Sequence, residues 1–122
     1  MDLVPITPEY YEFVRILRTH PDTRNGFLVD TDITEEEQEK YMTKYGLCYH
    51  ICLLYDVPVG YIGVIEDDIR VCTVPSHQGK GVAKFMLDKI KYMYPEAIGK
   101  IKKDNIASKK LFDKCKVPYT II

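Results

Sequence analysis

The sequence predicts a mixed α/β (α+β) fold with elements in the order β-α-α-β-β-β-α-β-α-β. Three observations carry that expectation. Residues 48–55, 57–65 and 69–74 are runs rich in β-branched and aromatic side chains, separated only by short turn sequences, which is the pattern of an antiparallel meander. After Pro75 the apolar spacing switches to the helical period, with Val82, Phe85, Met86, Ile90 and Met93 on one face and Pro95 as the stop. That helix leads to a short apolar run at residues 97–101, and a strand–helix–strand crossover sets its two strands parallel.

The remaining elements follow in order. Residues 3–6 form a short apolar first strand, and Thr7 with Pro8 offers an N-cap and a proline at the first helical position. Tyr10, Phe13, Val14 and Leu17 recur at helical spacing until Pro21, and residues 20–26 are turn-rich. Thr34-Glu35-Glu36-Glu37 matches a capping box, which starts a second helix running to about Gly46. Turns are expected at residues 56–58 and 66–68. Asn105 caps a last helix in which Ala107, Leu111 and Cys115 lie a turn apart, and residues 118–122 close the sheet.

A chain of 122 residues, 46% hydrophobic and 29% charged, supports one core, so residues 1–122 are expected to form a single domain. No apolar run reaches the ~18 residues that span a bilayer, and the first residues lack the basic and apolar regions of an export signal, which predicts a soluble cytoplasmic protein without a membrane partner. The four cysteines show no metal-ligand spacing, so no metal is expected and the thiols read as small core residues. Net charge is −1 but unevenly placed: residues 1–68 hold 14 acids and 5 bases, a balance of −9, and the rest holds 12 bases and 4 acids, a balance of +8. The basic part suits a polyanionic ligand and the acidic part a cationic one, and nucleic acid is disfavoured because half the chain repels it.

Residues 69–83 pass from strand through Pro75-Ser76-His77 and Gln78-Gly79-Lys80-Gly81-Val82-Ala83 into a helix. Such a junction aims several backbone N–H groups at one point, reinforced by the helix dipole, and binds an anion. Gly79 and Gly81 allow close approach of a ligand, and they equally suit a tight strand-to-helix turn. Neither the Walker spacing nor the dinucleotide fingerprint is present.

The loop resembles the Q/R-x-x-G-x-G/A pyrophosphate loop of the GNAT superfamily of acetyl-CoA-dependent N-acetyltransferases. Residues 105–117 resemble that family's second motif, N-x-x-A/S-x-x-L-Y-x-K-x-G-F, 22 positions after Ala83. The resemblance covers essentially the whole chain and implies a GNAT-like mixed sheet whose parallel pair splays at the acetyl-CoA site. It implies that Gln78, Gly79, Lys80, Gly81, Val82 and Ala83 hold the pyrophosphate, that Cys72, Thr73 and Val74 pair with the pantetheine arm, and that Asn105 and Ser108 belong to the same site. Lys80, Lys84, Lys109 and Lys110 are candidates for a nucleotide phosphate and equally read as solvated helix lysines.

The chain departs from the family pattern at three points. Phe112 stands where many members carry a tyrosine that protonates the departing thiolate, and phenylalanine has no proton to give. Lys116 replaces the usual glycine, and the sequence stops at Ile122 where many relatives carry one more strand, which leaves a homodimer partner as one way to complete the site. No general base is fixed: His50 and Glu66 are candidates, the first equally a sheet residue and the second equally a turn residue, while His77 reads as a loop residue facing the coenzyme.

In relatives the first two helices and their loop wall the acceptor. Here Arg18, Asp22 and Arg24 are the candidate acceptor residues, in a segment loosely like that of acetyltransferases acting on nucleotide-linked amino sugars. The expected reaction is acetyl transfer from acetyl-CoA to a primary amine, such as an amino sugar. A polyamine or a protein lysine or N-terminus is the rival acceptor, and a CoA-binding module without catalysis is the rival class.

Overall fold

The computed structural model describes residues 1–20 and 33–122. Its strands are β1 (Asp2–Pro5), β2 (Tyr49–Leu54), β3 (Val57–Ile65), β4 (Asp68–Thr73), β5 (Ile98–Ile101) and β6 (Tyr119–Ile121), and its helices α1 (Tyr11–Thr19), α2 (Glu35–Tyr45), α3 (Val82–Met93) and α4 (Ile106–Cys115). The element order is the one read from the sequence. The strands form one sheet in sequential order; β1 to β4 are antiparallel neighbours, and β4–β5 and β5–β6 are parallel.

Local chemistry explains most element boundaries. Thr34 Oγ1 accepts the Glu37 N–H at 3.1 Å at the start of α2, and Asn105 Oδ1 accepts the Ser108 N–H at 3.2 Å at the start of α4. Thr7 does not cap α1. Its hydroxyl donates to the Glu9 carboxylate at 3.0 Å, and Pro8–Tyr10 forms a 3₁₀ turn ahead of the helix. Both hairpin turns contain only two residues, Tyr55-Asp56 and Glu66-Asp67, all four at φ between 50 and 64°. Two consecutive positive φ values match the right-handed twist of the flanking strands, so Val57 and Asp68, assigned to turns from the sequence, belong to β3 and β4.

Two apolar clusters sandwich the sheet. On one side α3 and α4 cover it through Met86, Leu87, Ile90, Phe112 and Cys115 against Ile62 and Val64. On the other side α1 and α2 bury Val14, Leu17 and Met42 against Tyr49, Ile51 and Tyr61. Each fully buried side chain of this size contributes about 1.5–3 kcal/mol. In α3, Met93 is exposed and Leu87 takes its place in the core; in α4, Ala107 is exposed and Phe112 packs instead. Cys52 and Cys115 are buried and Cys48 and Cys72 half-buried.

Candidate active site

The junction between β4 and α3 is an amide cradle. Gly79 has φ +75° and Gly81, the residue before α3, φ +85°. These left-handed conformations flank Lys80 and turn successive N–H groups toward one side, the geometry of an anion-binding nest. No backbone hydrogen bond among the described residues is donated by the amides of residues 79–84; the helix ladder begins with the Phe85 N–H on the Gly81 carbonyl at 3.0 Å. Gln78, Gly79, Lys80 and Gly81 are exposed, and a Cβ built on either glycine meets nothing within 4 Å. Both sequence readings of the glycines therefore have a structural basis: positive φ requires them for the turn, and the space before them is open to a ligand.

Beside the cradle the sheet forks. β4 and β5 pair only at Asp68 with Ile98 and Ile69 with Gly99, although β4 continues to Thr73. Among the described residues, the edge of β4 from Arg70 onward thus faces no strand on that side. Thr73 is 7% exposed, and its hydroxyl is buried without a hydrogen-bond partner among the described residues. Such a group is rare in a folded protein and is satisfied when a ligand supplies the partner. At the closed end of the fork Phe112 lies against Gly99, where an added Cβ would come within 2.4 Å of the ring, and Tyr119 packs edge-on to it at 6.0 Å. Phe112 is 3% exposed, a core residue seated at the point where the strands part.

Alternation along β4 turns Arg70 to the α1/α2 face. Its Nη1 donates to Tyr41 Oη on α2 at 3.1 Å, and Tyr41 Oη shares a 2.7 Å hydrogen bond with Tyr49 Oη on β2. Arg18 from α1 lies over the Tyr41 ring, 5.3 Å from its centroid. Burial and the adjacent Tyr41 push the Tyr49 phenol well above its ordinary pKa, so Tyr49 is neutral at physiological pH. Asp68 is the acid near Arg70, 3.8 Å from its Nε.

The other residues singled out in the sequence are dispersed. His50 sits on β2, paired with Ile62, which is itself paired with Val71; two strand spacings, about 9.6 Å, separate it from β4. Burial holds its imidazole below the ordinary 6.5, and its Nδ1 has no hydrogen-bond partner among the described residues. Glu66 is exposed in the turn before β4, at the closed end of the fork. Asn105 is engaged as the cap of α4 through the Ser108 N–H, and Lys84 pairs with Asp88 at 2.7 Å. His77 Nδ1 is 3.0 Å from Ser76 Oγ. Asp22 and Arg24 lie outside the described residues. Among the described residues there is no group of three side chains able to hold a metal, and no helix is long and apolar enough to cross a membrane.

Sequence reasoning missed Arg70, Tyr41 and Tyr49. They come from β4, α2 and β2, so no spacing in the chain joins them; the one available signal was an arginine inside an apolar strand.

A mixed sheet forked beside a helix-start amide cradle is the architecture of the acetyltransferases. The model of the acetyltransferase (GNAT) family matches residues 11–116, and the chain belongs to that family. Solved structures agree on the fold. A ribosomal-protein-alanine N-acetyltransferase from Brucella melitensis aligns with TM-score 0.79 and 15% identity over 93% of this chain and 82% of its own. A putative acetyltransferase from Salmonella typhimurium with acetyl-CoA gives 0.78 and 15% over 93% and 77%. A spermidine N-acetyltransferase from Vibrio cholerae in complex with CoA and spermine gives 0.77 and 15% over 93% and 78%. No curated protein matches the chain.

Proposed function

We propose that this acetyltransferase moves the acetyl group of acetyl-CoA directly to the primary amine of a small molecule, an amino sugar being one such acceptor. The observation that carries the reading is the exposed cradle at residues 78–83, whose undonated amides suit a pyrophosphate, standing beside the fork. Cys72, Thr73 and Val74 line the edge along which a pantetheine arm would pair as an added strand, and the orphaned Thr73 hydroxyl supports that assignment. Asn105 and Ser108, at the start of α4 after β5, are assigned to the same site by the family resemblance.

The chemistry is an acyl substitution. The neutral amine attacks the thioester carbonyl, the carbon–sulfur bond breaks, and the amine's proton leaves to solvent. Phe112 supplies no proton to the departing thiolate, and a thiol pKa near ~8.5 makes that thiolate an adequate leaving group unaided. A polyamine acceptor is the second reading. It is favoured by a cavity of about 400 Å³ between α1 and α2, lined by Glu12, Glu35 and Glu39 together with Gln38 and Tyr11.

Thermal melting with CoA and desulfo-CoA, joined to thiol release from acetyl-CoA with a set of amines, tests the function. Ligand at 100 Kd raises stability by about 2.7 kcal/mol. A melting temperature unmoved at millimolar CoA refutes the coenzyme assignment, and binding without acetyl transfer to any amine favours the non-catalytic module.

A further inference from the structure

Arg70 is the first residue of β4 beyond the last β4–β5 pair, Ile69 with Gly99, so it stands about 3.3 Å along the strand from the point where the fork opens. Its side chain is 39% exposed, within reach of a ligand in the fork, and is nevertheless held in place. Tyr41 Oη takes one of its N–H groups at 3.1 Å, and the 2.7 Å bond to the buried Tyr49 fixes Tyr41 in turn. Arg18 lies over the other side of this anchor, 5.3 Å from the Tyr41 centroid. Two guanidinium groups from separate elements therefore converge on one pair of phenols, with Asp68 as the nearby acid at 3.8 Å from Arg70 Nε. Tyr49 remains a neutral phenol and adds no negative charge. Among the described residues the local charge is positive, although residues 1–68, which supply Arg18, Tyr41, Tyr49 and Asp68, have an overall balance of −9.

The acids of α2 do not cancel it. Glu35 and Glu39 line the cavity shared with Glu12, Glu36 pairs with Lys40 at 3.3 Å, and Glu37, one turn before Tyr41, accepts the Thr34 hydroxyl at 3.0 Å at the helix start. The helix turns Tyr41 toward β4 and carries Glu35 and Glu39 to the other flank.

We propose that the acceptor amine carries an anionic group, a carboxylate or a phosphate, and that Arg70, with Arg18, binds that group on the α1/α2 side of the fork. The assignment rests on the acetyl-CoA reading above. Arginine presents paired N–H donors in the planar fork that matches either oxyanion, and Tyr41 already sets the orientation of one guanidinium. The same positive field disfavours a second ammonium in the acceptor, so polyamines should be poor substrates. It also lowers the pKa of the reacting amine, which raises the neutral fraction that attacks, although among the described residues Asp68 is the carboxylate beside Arg70.

The test uses matched acceptors with acetyl-CoA at saturation: 4-aminobutyrate against butylamine for the carboxylate, glucosamine 6-phosphate against glucosamine for the phosphate, and spermidine as the polycation. The anionic member of at least one pair should have kcat/KM about tenfold or more above its neutral partner and above spermidine. The pair that responds distinguishes carboxylate from phosphate. In Arg70→Gln this preference should collapse toward unity through KM, and Arg70→Lys should restore part of it; circular dichroism and CoA binding confirm that both variants fold. Equal use of both members in every pair, preference for spermidine, turnover of none of these amines by a protein that binds CoA, or an Arg70→Gln variant that keeps the preference overturns the proposal while leaving the coenzyme site intact. Failure to bind CoA overturns the acetyl-CoA reading itself.

Discussion

Replacing Gly81 by alanine separates the two jobs that the structure gives this residue. In the unliganded protein the change carries no steric cost, because a Cβ at this position meets nothing within 4 Å. What remains is backbone strain: the residue sits at φ 85° and ψ 6°, and holding an L-residue in the left-handed region costs about 1–2 kcal/mol. Gly79→Ala, at φ +75° and equally open, should cost a similar amount. If the cradle holds a pyrophosphate, the new methyl group also projects into the space the phosphate occupies and displaces at least one charge-assisted N–H contact. Such a contact is worth about 1.5–3 kcal/mol, or roughly 10- to 150-fold in affinity. The expected result is thus a melting temperature lowered by several degrees together with a CoA Kd at least about tenfold weaker, measured by calorimetry well below the transition so that only folded protein is titrated. A Kd unchanged within about twofold beside the lowered melting temperature would show that the glycine serves only the turn. An unchanged melting temperature would refute the strain argument.

Three further outcomes follow from single positions. Lys116 sits at φ 57° in a helix-ending motif whose hydrogen bonds run from the Lys116 N–H to the Asp113 carbonyl and from the Val117 N–H to the Phe112 carbonyl, so Lys116→Gly should stabilise the protein by about 1 kcal/mol in urea unfolding, and no gain counts against the strain. Burial holds His50 below 6.5, so the folded state resists protonation; its contribution is intact above that pH and falls as pH drops through 6.5 toward the folded value. Wild type should therefore lose more stability than His50→Gln between about pH 7.5 and about pH 5.5, and parallel pH profiles refute this. Gly99→Ala places a methyl group within 2.4 Å of the Phe112 ring and should cost about 1–3 kcal/mol, partly recovered by Phe112→Leu in the double variant; additive losses show that the two do not touch.

Features that depend on neighbours in the chain were legible in the sequence. Thr34 and Asn105 cap helices because the acceptor oxygen and the N–H it satisfies are three residues apart, and the period of Val82, Met86 and Ile90 describes a helix face directly. The turns were less legible because Tyr55-Asp56 and Glu66-Asp67 adopt positive φ without the glycine or asparagine that usually announces it; the strand register imposes the conformation. The fork depends on where β5 stops pairing with β4, which is a property of the sheet and leaves no mark on either strand. Phe112 shows the limit of a motif match. The alignment identified which side chain replaces the usual acid, but only the close approach to Gly99 reveals that its ring closes the base of the fork.

The charge balance of the first 68 residues illustrates the same limit from another side. A count of −9 suggests a cationic acceptor, and the suggestion holds only if those carboxylates surround the acceptor. Helix α2 decides otherwise by its rotation about its own axis. Gln38 and Met42 are buried beneath it, so Glu35 and Glu39 are carried to one flank with Glu12, and Tyr41 is carried to the other, where it meets Arg70 and Arg18. A rotation of about 100° would carry Tyr41 away from Arg70 and bring Glu35 toward it. What fixes the rotation is on the buried side: Met42 at 2% exposure packs in the cluster with Val14, Leu17 and Tyr61, and Gln38 Nε2 donates to the Tyr11 carbonyl at 3.1 Å. With the acceptor at the proposed site beside Arg70, the sign of charge presented to it would be set by packing on the opposite side of the helix, and net charge along the chain would be a poor guide to it.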